Sequence, residues 1–271
     1  MTQILLGQGE RSLPARIFDT SKAMGEFIAV LLLADITAAR QAGRRYLLGC
    51  PGGRTPMIVY RALGQQAAAA QADCSHVTIV MMDDYLVQTG NGFAHCPEDA
   101  HYSCRRAARE DIAGVINDGL PTDCRIPPAQ IWFPDPAQPA AYDARLRAAG
   151  GIDLFITASG ATDGHVAFNA PGSDLDSESR IVRLPDSTRR DNLRTFPRFT
   201  GLEDVPTHGV TIGLGTIRAL SRQVILLLHG PDKRGAVQRL ASSRDFDPQL
   251  PSSFIFTCQQ AQIYLDREAL P

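Results

Sequence analysis

The fold is decided by residues 152–172, which read IDLFITASGATDGHVAFNAPG. The short apolar run from Ile152 to Ala158 predicts a buried parallel strand, and it leads directly into a loop of small residues. Asp163 and His165 follow in that loop, two positions apart. Because ligands of open α/β sheets bind at the carboxyl ends of the strands, chemistry is expected in this loop. The alternative is a surface Asp-Gly turn with an incidental histidine.

Predicted strands and helices alternate along the rest of the chain. The predicted strands are residues 45–49, 77–82, 131–133, 152–158, 210–214, 224–228, 254–257 and 263–265. The predicted helices are residues 21–42, 55–72, 101–116, 142–149 and 233–240, and residues 86–100 are expected to be irregular. This alternation predicts an α/β fold of one domain over residues 1–271, with an open, mostly parallel, Rossmann-like sheet and helices on both faces.

The composition excludes several classes of function. The chain has 271 residues, is 44% hydrophobic and 21% charged, and carries a net charge of −2, so no global charge points to nucleic acid or an anionic membrane. Its apolar runs are too short to span a bilayer, and its first residues lack the pattern of a signal peptide. Six cysteines without a CxxC pair predict free thiols in the cytoplasm instead of a disulfide framework or zinc ribbon.

Residues 49–56, GCPGGRTP, link a predicted strand to a predicted helix. Glycines such as Gly53 let the backbone approach an anion, and a helix start offers free N–H groups, so this loop suits a phosphate. Thr55 and Pro56 are expected as N-cap and first helical residue. The glycine spacing matches neither Walker A nor the dinucleotide fingerprint. A plain β–α turn is the alternative.

Two carboxylates, Asp83 and Asp84, follow the predicted strand 77–82. A carboxylate at a strand end beside an apolar wall has a raised pKa and is suited to carry a proton. Because side chains alternate along an extended chain, at most one of the two is expected to face a site. The alternative roles are helix capping and a solvated turn.

Cationic residues form two further candidates. Residues 180–198 contain six arginines, of which one or two are expected to reach a ligand and the others to be solvated. A nucleic-acid patch is disfavoured because few aromatic residues are interleaved. Lys233 is expected in the first helical turn, where an anionic ligand would offset its conflict with the helix dipole, although an exposed lysine would also fit.

Asp163 and His165 are a further candidate pair, provided that their side chains touch. A carboxylate bonded to the imidazole would fix its tautomer and raise its basicity. The acids and histidines nearby do not have metal-site spacing, so no metal is expected.

Together these segments resemble the glucosamine-6-phosphate deaminase/isomerase family, which shares its fold with 6-phosphogluconolactonases. The resemblance covers roughly residues 20–265 and is carried by four strings: DGHVAFN with PGS (163–169 and 171–173), MDDY (82–85), GRTP (53–56) and VTIGLGT (210–216). The Phe168-Asn169 pair favours the deaminases over the lactonases.

The resemblance implies loss of ammonia from a 2-amino sugar phosphate with aldose–ketose isomerisation, without a cofactor. His165, oriented by Asp163, would open the pyranose ring, and Asp83 would carry a proton from C2 to C1. The phosphate would bind to five residues: Gly53, Arg54, Thr55, Arg194 and Lys233. The partner is therefore a small-molecule sugar phosphate, with homo-oligomer formation left open.

Two departures from the family pattern bear on activity. Ala170 stands where the deaminases have a glutamate of the ring-opening relay, and Arg54 stands where a small residue is usual. Two alternatives to deamination therefore remain. One is lactone hydrolysis of the 6-phosphogluconolactonase type, which needs only a histidine and a phosphate clamp, and the other is sugar-phosphate binding with little catalysis.

Overall fold

A computed structural model describes residues 2–271. Its strands are β1 (Thr2–Leu6), β2 (Leu13–Phe18), β3 (Tyr46–Cys50), β4 (Val77–Met81), β5 (Asp83–Thr89), β6 (Gly92–His95), β7 (Ile131–Trp132), β8 (Ile152–Ala158), β9 (Arg180–Arg183), β10 (His208–Thr211), β11 (Ser221–Leu228) and β12 (Ala261–Asp266). The helices are α1 (Ser21–Gln41), α2 (Met57–Ala70), α3 (Cys104–Ala107), α4 (Val115–Asn117), α5 (Pro139–Ala148), α6 (Asp186–Thr195), α7 (Leu214–Leu220) and α8 (Arg234–Ser242), and a π-helical segment, Ala108–Gly114, joins α3 to α4.

The main sheet has eight strands in the order β1-β2-β12-β11-β8-β3-β4-β7. Every pairing in it is parallel except that of β1 with β2. Alternate residues of β3 enter different apolar clusters: Tyr46 packs with α1 and α2 on one face, and Leu47 packs with α5, α7 and α8 on the other. The predicted fold class, an open and mostly parallel sheet with helices on both faces, is confirmed.

A second, four-stranded antiparallel sheet lies beside the main one, in the order β6-β5-β10-β9. It corrects the expectation that residues 86–100 are irregular, because β5 and β6 form a hairpin there. The chain passes from β4 of the main sheet into β5 of the small sheet at Met82. The small sheet therefore starts with Asp83, at the carboxyl end of β4.

Other sequence predictions were wrong in their details. Residues 254–257 are not a strand but part of a 3₁₀ helix, Pro251–Thr257, which begins with a proline that has no N–H for a sheet ladder. Helix α2 begins at Met57, so Pro56 and not Thr55 is its N-cap residue. The predicted strand 210–214 ends at Thr211, because α7 begins at Leu214. Strands β1, β2 and β9 and helices α6 and α7 were not predicted.

Two further observations concern the cysteines and the length of apolar helices. All six cysteines are free thiols. Within residues 2–271, no helix is both long and apolar enough to cross a membrane.

Candidate active site

A cavity of about 460 Å³ opens at the carboxyl ends of four parallel strands, β3, β4, β8 and β11. The segments that follow these strands all contribute to its wall. Seven of the eight predicted site residues line it: Gly53, Arg54, Thr55, Asp83, His165, Arg194 and Lys233. The eighth, Asp163, is buried directly behind the His165 ring. The topology thus assembles one site from segments that are far apart in sequence.

His165 is held by Asp163 in a fixed orientation. Oδ1 of Asp163 lies 2.6 Å from Nδ1 of His165 and also accepts the backbone N–H of His165 at 3.1 Å. Ser187 and Thr188 of α6 donate to the other oxygen at 2.7 and 3.0 Å. Burial alone would raise the pKa of Asp163, but the hydrogen bonds from His165 and Ser187 outweigh it and hold the pKa well below its usual range. Asp163 is therefore ionised, and Nε2 of His165 is free to serve a ligand.

The turn after His165 is held by hydrogen bonds from a buried asparagine. Ala167 has a φ of +52°, a left-handed conformation that costs a residue with a Cβ about 1 kcal/mol or more. The buried side chain of Asn169 supports this turn by donating to the backbone oxygens of Val166 at 3.0 Å and Ile212 at 2.8 Å. Asn169 of the motif therefore has a structural role, which is to fix the wall of the cavity.

Asp83 is the carboxylate that faces the cavity, as alternation predicts for one of the pair. Burial raises its pKa to about 7, and the neighbouring charge of Asp84 adds to this effect. The thiol of Cys104, which also lines the cavity, donates to Oδ1 at 3.5 Å and opposes the rise. A carboxyl group that exchanges its proton near neutral pH is suited to shuttle protons between carbon atoms.

Asp84 has a structural role instead. It is fully buried, lies 2.8 Å from Nδ1 of His95, and accepts hydrogen bonds from Nε of Arg105 at 3.2 Å and from the backbone of Cys104 at 3.0 Å. These contacts tie the β5–β6 hairpin to α3.

Three cations, Arg54, Arg194 and Lys233, line the same cavity and are called here the cation group. Lys233 is buried and donates to the backbone oxygen of Ser159 at 2.8 Å. Burial lowers its pKa, Asp232 and Asp191 raise it, and Arg54 lowers it. Arg54 and Arg194 form no side-chain hydrogen bond or ion pair within residues 2–271, so they remain available to an anion.

The loop that carries Arg54, between β3 and α2, has the geometry that the glycine pattern predicts. Gly53 has a φ of +80°, a conformation that favours glycine. The backbone oxygen of Thr55 lies 2.9 Å from Nε2 of His229, which fixes this loop against the segment after β11. Lys233 ends a short 3₁₀ turn, Pro231–Lys233, and does not lie in the first turn of a helix as predicted.

The arginine-rich segment forms β9 and α6, and of its six arginines only Arg194 lines this cavity. Arg189 instead donates to backbone oxygens of Leu202 and Val205 and holds the following turn. The sequence did not single out two other residues of the wall, Cys104 and Asp191. A signal for either was lacking, because both depend on contacts between distant segments.

Ala170 does not line the cavity. It lies on a separate surface depression with Pro171 and Arg183. Because its side chain is uncharged and lies outside the cavity, Ala170 contributes no charge near His165.

Asp163, His165 and Asp191 form the one group of three acids and histidines in residues 2–271 whose ligand atoms lie close enough, within 4.8 Å, to hold a metal. Their carboxylate oxygens already accept hydrogen bonds from protein donors: His165, Ser187 and Thr188 bind Asp163, and Thr162 binds Asp191. This pattern fits a network that orients an imidazole. The absence of a metal stays a prediction.

Comparisons with known proteins agree with this architecture. The family described as glucosamine-6-phosphate isomerases/6-phosphogluconolactonase matches residues 19–265. The glucosamine-6-phosphate deaminase of Arthrobacter sp. (strain FB24) is 37% identical over 199 residues, which are 71% of this chain and 68% of the relative.

Solved structures share the fold. A monomeric glucosamine-6-phosphate deaminase superposes with a TM-score of 0.78 at 23% identity, covering 94% of this chain and 98% of that one. The 6-phosphogluconolactonase of Leishmania guyanensis superposes with a TM-score of 0.64 at 18% identity, covering 94% and 96%.

Fold and site together define an enzyme of the α/β class with its cavity at the carboxyl ends of parallel strands. More narrowly, the chain belongs to the glucosamine-6-phosphate isomerase/6-phosphogluconolactonase family, as the sequence motifs predict.

Proposed function

We propose that this protein converts a 2-amino-2-deoxyhexose 6-phosphate into the corresponding ketose 6-phosphate and ammonia. The observation that carries the proposal is the joint presence of Asp83, His165 and the cation group in one cavity. A proton shuttle, an oriented imidazole and an anion clamp are what this reaction requires.

The cation group and the Gly53–Thr55 loop would bind the phosphate. Arginine binds phosphate oxygens through its planar fork, and a buried lysine offers a point charge in a site of low dielectric. Lys233 is held in place by Ser159, so its ammonium is already oriented before a ligand arrives. Arg54 would add a contact that a small residue at this position cannot make.

His165 would open the sugar ring. The protonated imidazole donates its Nε2 proton to the ring oxygen while the anomeric hydroxyl loses its proton to water, which gives the open-chain aldehyde. Asp163 would keep Nδ1 occupied, so that Nε2 points to the substrate, and would stabilise the imidazolium.

Asp83 would then perform the isomerisation. Its carboxylate removes the proton from C2 while O1 takes up a proton from water, which gives an enolamine. Asp83 then returns a proton to C1 and the nitrogen gives up a proton to water, which leaves an imine at C2. Water adds to this imine and ammonia leaves, so that the atoms balance without a cofactor. A pKa of about 7 suits a group that must both accept and donate a proton near neutral pH.

A coupled ammonia-release assay with glucosamine 6-phosphate and galactosamine 6-phosphate tests this proposal. The Asp83→Asn variant is the matched control, because it keeps the shape of the side chain and removes its basicity. We expect ammonia from the wild type with at least one of the two sugars, and none above background from Asp83→Asn.

Release of ammonia by neither sugar would contradict the proposal. Hydrolysis of 6-phosphogluconolactone above the spontaneous rate would then favour the lactonase branch. Sugar-phosphate binding without either reaction would favour a binding protein.

We further propose a cytoplasmic location, which the six free thiols support because reducing compartments preserve them. Self-association stays a prediction, and light scattering coupled to gel filtration would measure it.

A further inference from the structure

Helix α6 places a second carboxylate beside His165. Asp191 lines the cavity, and its carboxylate, a ring nitrogen of His165 and an oxygen of Asp163 all lie within 4.8 Å of one another. The imidazole therefore has two acidic neighbours. Asp163 belongs to its own loop, and Asp191 comes from a helix that starts more than twenty residues later in the chain.

Asp191 is held in this place by the loop that carries His165. The backbone N–H and the hydroxyl of Thr162 donate to its two oxygens at 3.1 and 2.6 Å. About one turn earlier on α6, Ser187 and Thr188 bind Asp163. Helix α6 is thus hydrogen-bonded to two residues of the His165 loop, Thr162 and Asp163. Asp191 is therefore oriented before any ligand binds.

Within residues 2–271, no carboxylate besides Asp163 and Asp191 joins His165 in a group whose ligand atoms all lie within 4.8 Å of one another. Asp176 pairs with Arg218 at 2.5 Å, and Asp174 lies at the separate depression that Ala170 also lines. Asp232 reaches the cavity but lies 3.8 Å from Lys233.

We propose that Asp191 is a positioning residue for His165, in that its negative charge stabilises the protonated imidazole that acts on the sugar ring. This inference rests on the proposed function. A carboxylate within about 4–6 Å favours the charged form of a neighbouring cationic group. Asp191 supplies this charge from α6, whereas Ala170, in the loop after His165, supplies none.

Several charged groups face the imidazole. Asp163 faces it from the same loop, Asp83 from β5 and Asp191 from α6. Lys233, in the turn after β11, interacts with Asp191 and opposes part of its effect. The contribution of Asp191 is therefore best measured as a difference between variants that leave the other three groups in place.

The decisive experiment is an NMR titration of the His165 ring in the free protein, with the signal assigned by its loss in His165→Gln. Asp191→Asn should move the titration midpoint to lower pH by about one unit, and Asp191→Glu should restore most of the shift. Thr162→Val removes a hydrogen bond to Asp191 but keeps the charge, so it should move the midpoint by less than half as much. Asp186→Asn, on the exposed side of α6, is the matched control.

Kinetics of ammonia release give the second readout. Asp191→Asn should lower kcat roughly tenfold or more with a smaller change in KM, and should move the limb of the pH profile that reports the imidazolium in the same direction as the NMR midpoint. Equal losses in Asp191→Asn and Thr162→Val, with an unmoved midpoint in both, would show a purely structural role and overturn the proposal.

The two proposals fail separately. A wild type that releases no ammonia contradicts the proposed function, but the NMR midpoint still decides the relation between Asp191 and His165. An active wild type whose midpoint is the same in Asp191→Asn contradicts this inference alone.

Discussion

Gly160 lies so close to the ring of His165 that a Cβ on this glycine would stand 2.2 Å from Nδ1. Real Cβ atoms do not approach a neighbour so closely, so only glycine leaves room for the imidazole in its present place. The backbone N–H of Gly160 also donates to the backbone oxygen of His165 at 2.8 Å. The small-residue loop after β8 therefore packs against the ring of His165, and this contact explains why a glycine stands at position 160.

Gly160→Ala should displace the imidazole and separate it from Asp163. We expect kcat to fall by about a hundredfold, because a shift of about 1 Å in a catalytic group has this effect. The assay is ammonia release, with the fold checked by circular dichroism. Gly235→Ala in α8 is the matched control, since a Cβ there would meet open space, and it should leave kcat unchanged. An active Gly160→Ala enzyme would contradict the assignment of His165.

The acid limb of the kcat/KM profile should report Asp83. Its pKa of about 7 means that the base is protonated, and the rate falls, as pH drops below neutrality. Cys104→Ala removes a hydrogen bond that lowers this pKa, so the limb should move to higher pH by about half a unit, since a thiol is a weak donor. Cys104→Ser restores a donor and should bring the limb back. If the acid limb of the kcat/KM profile stays at the same pH in both variants, the base is a group other than Asp83.

Asp83 should also destabilise the folded protein at alkaline pH. Because the folded-state pKa of about 7 exceeds the ordinary value of 3.8, the folded state binds the proton more tightly, and stability falls as pH rises through this window. The ionised carboxylate costs up to about 4 kcal/mol above pH 7. Asp83→Asn should therefore raise Tm relative to the wild type most at pH 8.5, less at pH 5, and hardly at all near pH 3.5.

Asp84→Asn is the contrasting control for this experiment. It removes the charge that His95 and Arg105 share, so it should lower the free energy of unfolding by about 2–3 kcal/mol at neutral pH. Similar Tm shifts in the two variants would contradict the division of roles between the neighbouring aspartates.

The sequence predicted the fold correctly where the local pattern determines both the burial and the backbone conformation of a segment. Strand β8 has the bounds that its continuous apolar run predicts, Ile152–Ala158. The run Phe254–Phe256 is just as buried but forms a 3₁₀ helix, since an apolar run reports burial and not backbone conformation. The β5–β6 hairpin was missed although Gly90-Asn91-Gly92 carries the turn signal.

The candidate site divides in the same way. Asp83, His165 and Lys233 follow strands, and the carboxyl ends of parallel strands meet in space, so their convergence could be anticipated. Asp191 could not, because the hydrogen bonds that hold it beside His165 come from Thr162, a residue 29 positions away. Nothing in the local pattern of α6 distinguishes this aspartate from the exposed Asp186.

Lys233 should determine the preference for a phosphorylated substrate. Lys233→Gln removes a buried ammonium that is already oriented by Ser159, so KM for the sugar phosphate should rise about tenfold to a hundredfold, the value of a hydrogen bond to a charged group. KM for the same sugar without phosphate should change little. Lys22→Gln, whose side chain is 85% exposed, is the matched control and should change neither. Equal increases for both sugars would mean that Lys233 shapes the cavity without binding phosphate, and the anion would then have to be assigned to Arg54 and Arg194.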